Sequence, residues 1–392
     1  MAKKYISFLS CVFIIVFNVF ATYGLGFIGW DYLVPKYLQY GWVLLPLLLS
    51  LINMSKVISY HGVWSRMIPY LILMPTLACF SKAIILNEAP FNIMYPVYLS
   101  LTFFMFYVYH SYDVTESTII RGFLIFGMVT FCIQVYQQIS GVVYFNLFMR
   151  FFSNEDIRND LARYQVGCPY IQLFCFFYSW YKLMEKITGK WMLLSLFFAV
   201  SLYLYLTRQI IVITIITLFC SFIFNKRKGS RKVPFFVLLA ILLVGLSKYW
   251  DFLFGSMIEQ TKNDEGFYIR FVSIGFFFKE TFSNIIGMLL GFGQSFYEER
   301  WYGKGIYASD AGVFGDMFHY GVTWAITYFI TVYIILKKAK VSVPYYLKWF
   351  TIATLINCIF SLPYHSYDQA FVWVSILYIY SLYSNKKALI RN

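Results

Sequence analysis

The sequence predicts an all-α polytopic membrane protein, one integral membrane domain over residues 1–392 with about 12 transmembrane helices and two extracytoplasmic loop regions. Three observations lead there. Apolar runs near the ~20 residues that cross a hydrocarbon core follow one another along most of the chain. Two long polar stretches, 140–167 and 251–311, interrupt them. Lys and Arg concentrate at alternate ends of the runs. The composition agrees: at 60% hydrophobic and 13% charged, the chain carries more apolar surface than a soluble domain of this length would bury.

The first span is Tyr5–Gly29. Its apolar stretch runs too long for a signal peptide and no small-residue cleavage site closes it, so it is expected as an uncleaved helix. Leu38–Met54 follows, then Met67–Leu86, which Pro69 and Pro75 are expected to break. Phe91–His110 and Thr118–Ile139 complete the first half. Pro169–Leu183, Trp191–Leu206 and Gln209–Phe224 come next, the last two a tight pair around Arg208, and Val233–Tyr249 follows them. Gly312–Leu336 begins after Ser309 and Asp310, either of which suits a helix N-cap. Tyr345–Leu362 and Gln369–Ser384 close the series. Between spans, 140–167 reads as an irregular loop with one short helix. The region 251–311 holds a half-buried stretch from Phe267 to Phe282 and a Gly-rich turn from Gly287 to Gly293.

With both termini cytoplasmic, twenty of the 32 basic residues and only three of the 18 acidic ones fall on the cytoplasmic side. The net charge of +14 is then a topology signal and not a nucleic-acid footprint, because no basic domain interleaved with aromatics carries one. Both long polar stretches face outward. No Gly-rich phosphate loop is present, so the energy for any chemistry would come from a substrate already activated in the membrane. The seven cysteines lack metal-ligand spacing and read as apolar filler, and the four histidines are scattered. No metal site and no cofactor are expected.

Arg208 stands between two apolar stretches on the outer side, where the charge rule disfavours Arg. It is either an anion ligand, through the bidentate guanidinium fork, or a snorkelling side chain at the membrane surface. Arg270 lies in Phe267-Tyr268-Ile269-Arg270-Phe271, as a surface Arg on an amphipathic helix or as a second anion ligand. Arg300 and Lys304, with Tyr268, are candidates for an outer groove. Asp310, Asp316 and His319 form a further cluster, with Asp316 and His319 one turn apart on one helix face. They are either a cap and an interfacial pair or a general base for a sugar hydroxyl.

Several of these segments, in order, carry a family resemblance. Thr207-Arg208-Gln209 opening an apolar helix resembles the start of the O-antigen polymerase and ligase core. Tyr268-Ile269-Arg270-Phe271 follows, then Gly287-Met288-Leu289-Leu290-Gly291-Phe292-Gly293, then Ser309-Asp310-Ala311-Gly312 and Tyr320-Gly321-Val322. The match covers 207–328 and is similar to the Wzy-type polysaccharide polymerases. It implies a GT-C-like, metal-independent glycosyltransferase acting on the periplasmic face of the bacterial inner membrane. The implied substrate is an undecaprenyl-pyrophosphate-linked oligosaccharide in the surrounding membrane lipid. Arg208 and Arg270 would grip the pyrophosphate, Asp310, Asp316 or His319 would take the acceptor proton, and a chain-length regulator protein is an expected partner. The product would be O-antigen or a related surface polysaccharide. A ligase would be expected to carry a His in the large outer loop, and none lies between Asp251 and Asp310. A flippase or exporter for lipid-linked oligosaccharide is the other alternative, although no internal repeat suggests transport architecture.

Overall fold

The computed structural model describes residues 44–58, 62, 64–86, 100–140, 157–158, 161–162, 169–205, 208–223, 266–293, 306, 308–339, 343–358 and 367–391. These are almost entirely helical. After a helical stretch over 44–58, the elements are α1 (Trp64–Leu86), α2 (Met105–Ser111), α3 (Glu116–Ser140), α4 (Pro169–Glu185), α5 (Gly189–Leu204) and α6 (Arg208–Ile223). They continue with α7 (Gly266–Thr281), α8 (Ile285–Leu290), α9 (Val313–Ala339), α10 (Tyr345–Asn357) and α11 (Tyr367–Arg391). Among the described residues, Glu116–Ser140 and Val313–Lys337 are long and apolar enough to cross a membrane. The expected spans Tyr5–Gly29 and Val233–Tyr249, and the first part of Phe91–His110, lie outside the described residues.

Local chemistry accounts for several boundaries. Thr115 caps α3, its hydroxyl accepting from the Thr118 N–H at 3.3 Å. Asn284 caps α8 in the same way, taking the N–H groups of Ile286 and Gly287. Contrary to expectation, α1 runs unbroken through Pro69 and Pro75. Pro69 and Pro75 deprive the Ser65 and Leu71 carbonyls of their helix donors, a loss tolerated where neighbouring helices pack against the segment, as α8 and α9 do against α1.

Within 141–167 the described residues form a two-residue antiparallel pair, Ile157–Arg158 against Leu161–Ala162, and the rest of that stretch, where a short helix is expected, lies outside the described residues. The Gly-rich turn is narrower than expected, because Gly287 belongs to α8 and the chain turns at Gly291. Ser309 and Asp310 lie in a 3-10 turn over Ala308–Ala311, with Gly312 between that turn and α9, so neither caps α9 directly.

The core is aromatic. Phe174 of α4 meets Phe123 of α3 and both Tyr346 and Phe350 of α10 edge-on, at 5.1–5.7 Å. The twelve residues Ala370–Ser381 of α11 are all buried, which makes α11 the central helix. The periphery is apolar as well: Ile139 is 82% and Ile52 76% exposed. A helix apolar on every side suits a buried core position or a lipid environment.

Side-chain contacts fix the relative directions of α3, α4, α10 and α11. Tyr346, near the start of α10, and Tyr383, in the second half of α11, both donate to Glu116 at the start of α3. Tyr181, near the end of α4, stacks on Tyr345. The opposite ends of α4 and α10 meet through Tyr170 and Asn357, so those two helices are antiparallel. Lys182, Lys190 and Lys348 all lie over aromatic rings at the Glu116 end. Three of the basic residues that the charge rule assigns to one side therefore lie at one end of the bundle.

Candidate functional site

The opposite end gathers the starts of α4, α6 and α9 with the close of α10. Helix starts carry unsatisfied N–H groups and a positive dipole end, a setting that favours anions. Gln209, in the first turn of α6, is the hub. Its amide nitrogen donates to the Asn357 carbonyl at 3.1 Å, and its amide oxygen accepts from the Arg270 guanidinium at 3.4 Å. Asn357 in turn donates to the Tyr170 hydroxyl at 2.5 Å. Close by, the Val313 N–H that opens α9 donates to the Cys358 carbonyl at 3.0 Å. One polar chain thus links α7, α6, α10 and α4.

Arg270 is half-buried and faces inward. Its helix buries Ser273, Phe277 and Thr281, each four residues apart, and Arg270, three residues before Ser273, continues that row toward the helix start. Phe271 and Phe278 face outward instead. Arg270 is therefore not a free surface charge. Arg208 is the residue before Gln209 and opens α6, so the backbone at 208 adjoins the residue that Arg270 contacts. For Arg208, Tyr268 and Asp310 only the backbone is described: Tyr268 lies in the first turn of α7 and Asp310 in the 3-10 turn before α9. Arg300 and Lys304 lie outside the described residues.

Asp316 and His319 share a face of α9 and are 1% and 0% exposed. Asp316 lies near the Cys358 thiol, just beyond the Asn357 link. Both belong to a short first half of α9, because that helix is not continuous: Gly321 has φ 86° and ψ 166° and divides it. In an unbroken helix the carbonyls of Phe318 and His319 would accept from Val322 and Thr323. Here they accept from the N–H groups of Phe292 and Gly293, at 2.9 and 2.8 Å. Thr323 donates to the Leu289 carbonyl at 2.6 Å, and Ser81 of α1 donates to the Gly291 carbonyl.

The crossing works only with glycine at both places. A Cβ on Gly291 would meet the His319 carbonyl, and one on Gly321 the Leu289 carbonyl. Both residues also have φ of 86°, which L side chains rarely adopt. Phe292 then stacks on Phe318 at 4.8 Å, sealing the layer beneath Asp316 and His319. The expected span Gly312–Leu336 consists of two half-helices joined at this crossing.

Among the described residues no three His, Cys, Asp or Glu side chains converge as metal ligands. The site lacks the short phosphate-cradling loop of nucleotide enzymes, and its described positive group is Arg270, beside the arginine position 208. Sequence reasoning missed Gln209, Asn357 and Tyr170 as the connectors. Their signal was available, because amides near the ends of apolar helices require partners. No family model matches the chain, and no curated protein or solved structure matches it.

Proposed function

We propose that this chain is a metal-independent glycosyltransferase that polymerises undecaprenyl-pyrophosphate-linked oligosaccharide repeat units into O-antigen or a related surface polysaccharide. It would do so on the periplasmic face of the bacterial inner membrane, within about twelve spans of GT-C-like architecture, with both termini cytoplasmic. The observation that carries this reading is the Arg270–Gln209 contact. It brings Arg270 to the residue next to Arg208, and these are the two arginines that the family resemblance singles out, 62 residues apart in sequence. Helix starts at the same end add favourable N–H groups for a diphosphate.

In the reaction, a hydroxyl at the non-reducing end of one lipid-linked repeat attacks the anomeric carbon of another. A new C–O glycosidic bond forms and the bond from that carbon to the diphosphate oxygen breaks. Undecaprenyl pyrophosphate leaves with the electron pair, and the acceptor proton passes to a carboxylate or imidazole. Negative charge grows on the leaving diphosphate, and the guanidinium groups oppose it. The candidates for that base are Asp310, whose backbone lies in the turn before α9, and the enclosed Asp316 and His319.

Purified protein given lipid-linked repeat in detergent tests this reading. Lengthened glycan with release of undecaprenyl pyrophosphate supports it, and no lengthening by well-folded protein refutes it. The interrupted helix α9 favours one second reading, a flippase for the same lipid-linked repeat, because broken spans recur at transporter substrate sites. A flippase would leave glycan length unchanged in detergent and move the repeat only between two compartments.

A further inference from the structure

A second polar region lies near the same end of the bundle, between α3, α4 and α5. Gly127, Thr130, Gln134 and Gln137 follow one another at spacings of three and four, so they share one face of α3. Thr130, Gln134 and Gln137 are at most 1% exposed, as are Gln172 of α4 and Ser201 of α5. Two bonds tie the face to its neighbours. Gln172 donates to the Gly127 carbonyl at 2.9 Å, and Ser201 donates to the Gln134 amide oxygen at 2.5 Å.

Those bonds leave most of the amide capacity unused. Among the described residues, Gln137 finds no hydrogen-bond partner for either its nitrogen or its oxygen. The Gln134 nitrogen and the Gln172 oxygen are likewise without one. Buried amides are normally satisfied, and leaving them unpaired in apolar surroundings is costly. If interhelical adhesion were the whole purpose, Gln134 and Gln172 would suffice. Gln137 lies three residues, about 4.5 Å, from the end of α3.

The surroundings narrow the class of ligand. No Asp, Glu, Lys or Arg occurs from Gly122 to Ser140, from Pro169 to Tyr181 or from Trp191 to Tyr205, so these three helix faces supply no counter-charge to a charged ligand. A purely apolar ligand would leave the amides unpaired. A primary amide offers a donor and an acceptor side by side, which complements adjacent hydroxyl groups.

We propose that Gln137, with Gln134, forms a binding site for a neutral sugar unit, separate from the arginine site. Ser201 and Arg208 flank the α5–α6 connection, so the two regions adjoin. The choice of a sugar rests on the glycan-polymerase reading above, whereas the amide site itself does not.

The test is thermal unfolding of the purified full-length chain in a sugar-free detergent. One arm adds a panel of neutral mono- and disaccharides, and the other adds inorganic pyrophosphate. A saccharide is expected to raise the wild-type midpoint by about 2–4 °C. Gln137→Leu and Gln137→Met should lose that rise and keep the response to pyrophosphate. Arg270→Ala should do the reverse. Two replacements of Gln137 are compared so that a folding defect in one is not read as lost binding. The proposal is overturned if no saccharide in the panel stabilises the wild type, or if both Gln137 variants respond as the wild type does. Failure of the pyrophosphate arm alone would count against the arginine site and leave the amide site standing.

Discussion

The two ends of the bundle solve the burial of charge in opposite ways. At one end, the Glu116 carboxylate accepts hydroxyls from Tyr346 and Tyr383 at 2.5 and 2.6 Å, and these bonds close α3, α10 and α11 together. Lysines around it lie over Tyr and Trp rings, and Lys182 pairs with Glu185 at 2.8 Å. At the other end, the Arg270 guanidinium reaches a neutral amide by a long 3.4 Å contact. The first arrangement is short and charge-assisted, and suits a permanent fastening. The second leaves a cation on the inward face held loosely by its neighbour, which suits an exchangeable anion.

The contrast can be broken most severely at the crossing that supports the arginine end. Gly321→Ala and Gly291→Ala drive a Cβ into backbone and demand an unfavourable φ, so each is expected to destabilise by at least about 3 kcal/mol. Fluorescence-detected gel filtration of detergent extracts should show little folded protein. Gly189→Ala, where a Cβ meets nothing within 4 Å, should leave the profile unchanged.

Arg270→Ala comes next in size. Loss of one charge-stabilising contact to a leaving group lowers turnover by about 10²–10³. Polysaccharide ladders from cells carrying only the variant should collapse toward a single repeat, at normal protein level. Glu116→Gln tests the fastened end: the charged character of two hydrogen bonds is lost, at about 1–3 kcal/mol of stability. Its midpoint should fall while ladder length stays the same. A shortened ladder at normal protein level would erase the distinction between the ends. Lys182→Ala is the smallest change, because a partly exposed pair on one helix contributes about 0–1 kcal/mol, and its midpoint should hardly move.

Hydropathy made most of the helices legible. Residues 118–139, 169–183 and 191–206 are expected spans, and they appear as α3, α4 and α5 with ends shifted by a few residues. The inward side of α7 was harder to read. Phe271, Phe276, Phe278 and Phe282 make that segment apolar nearly all round, so the usual apolar stripe does not mark its inner face. Its small polar residues, Ser273 and Thr281, do so instead, as is common for helices that pack in lipid. The break at Gly321 was not legible, because a lone glycine in an apolar helix is ordinary. Its meaning arises only when Gly291, thirty residues earlier, is brought against it. Enclosure of Asp316 and His319 depends on the same long-range contact and on the stack of Phe292 on Phe318.

The most direct test of the central claim is calorimetric titration of the full-length protein with a short-chain polyprenyl pyrophosphate, comparing wild type with Arg208→Ala, Arg270→Ala and the double variant. If the two arginines share one diphosphate, each single variant should bind at least about tenfold more weakly, with the double variant weaker than either. Wild-type affinity in the double variant would contradict the account.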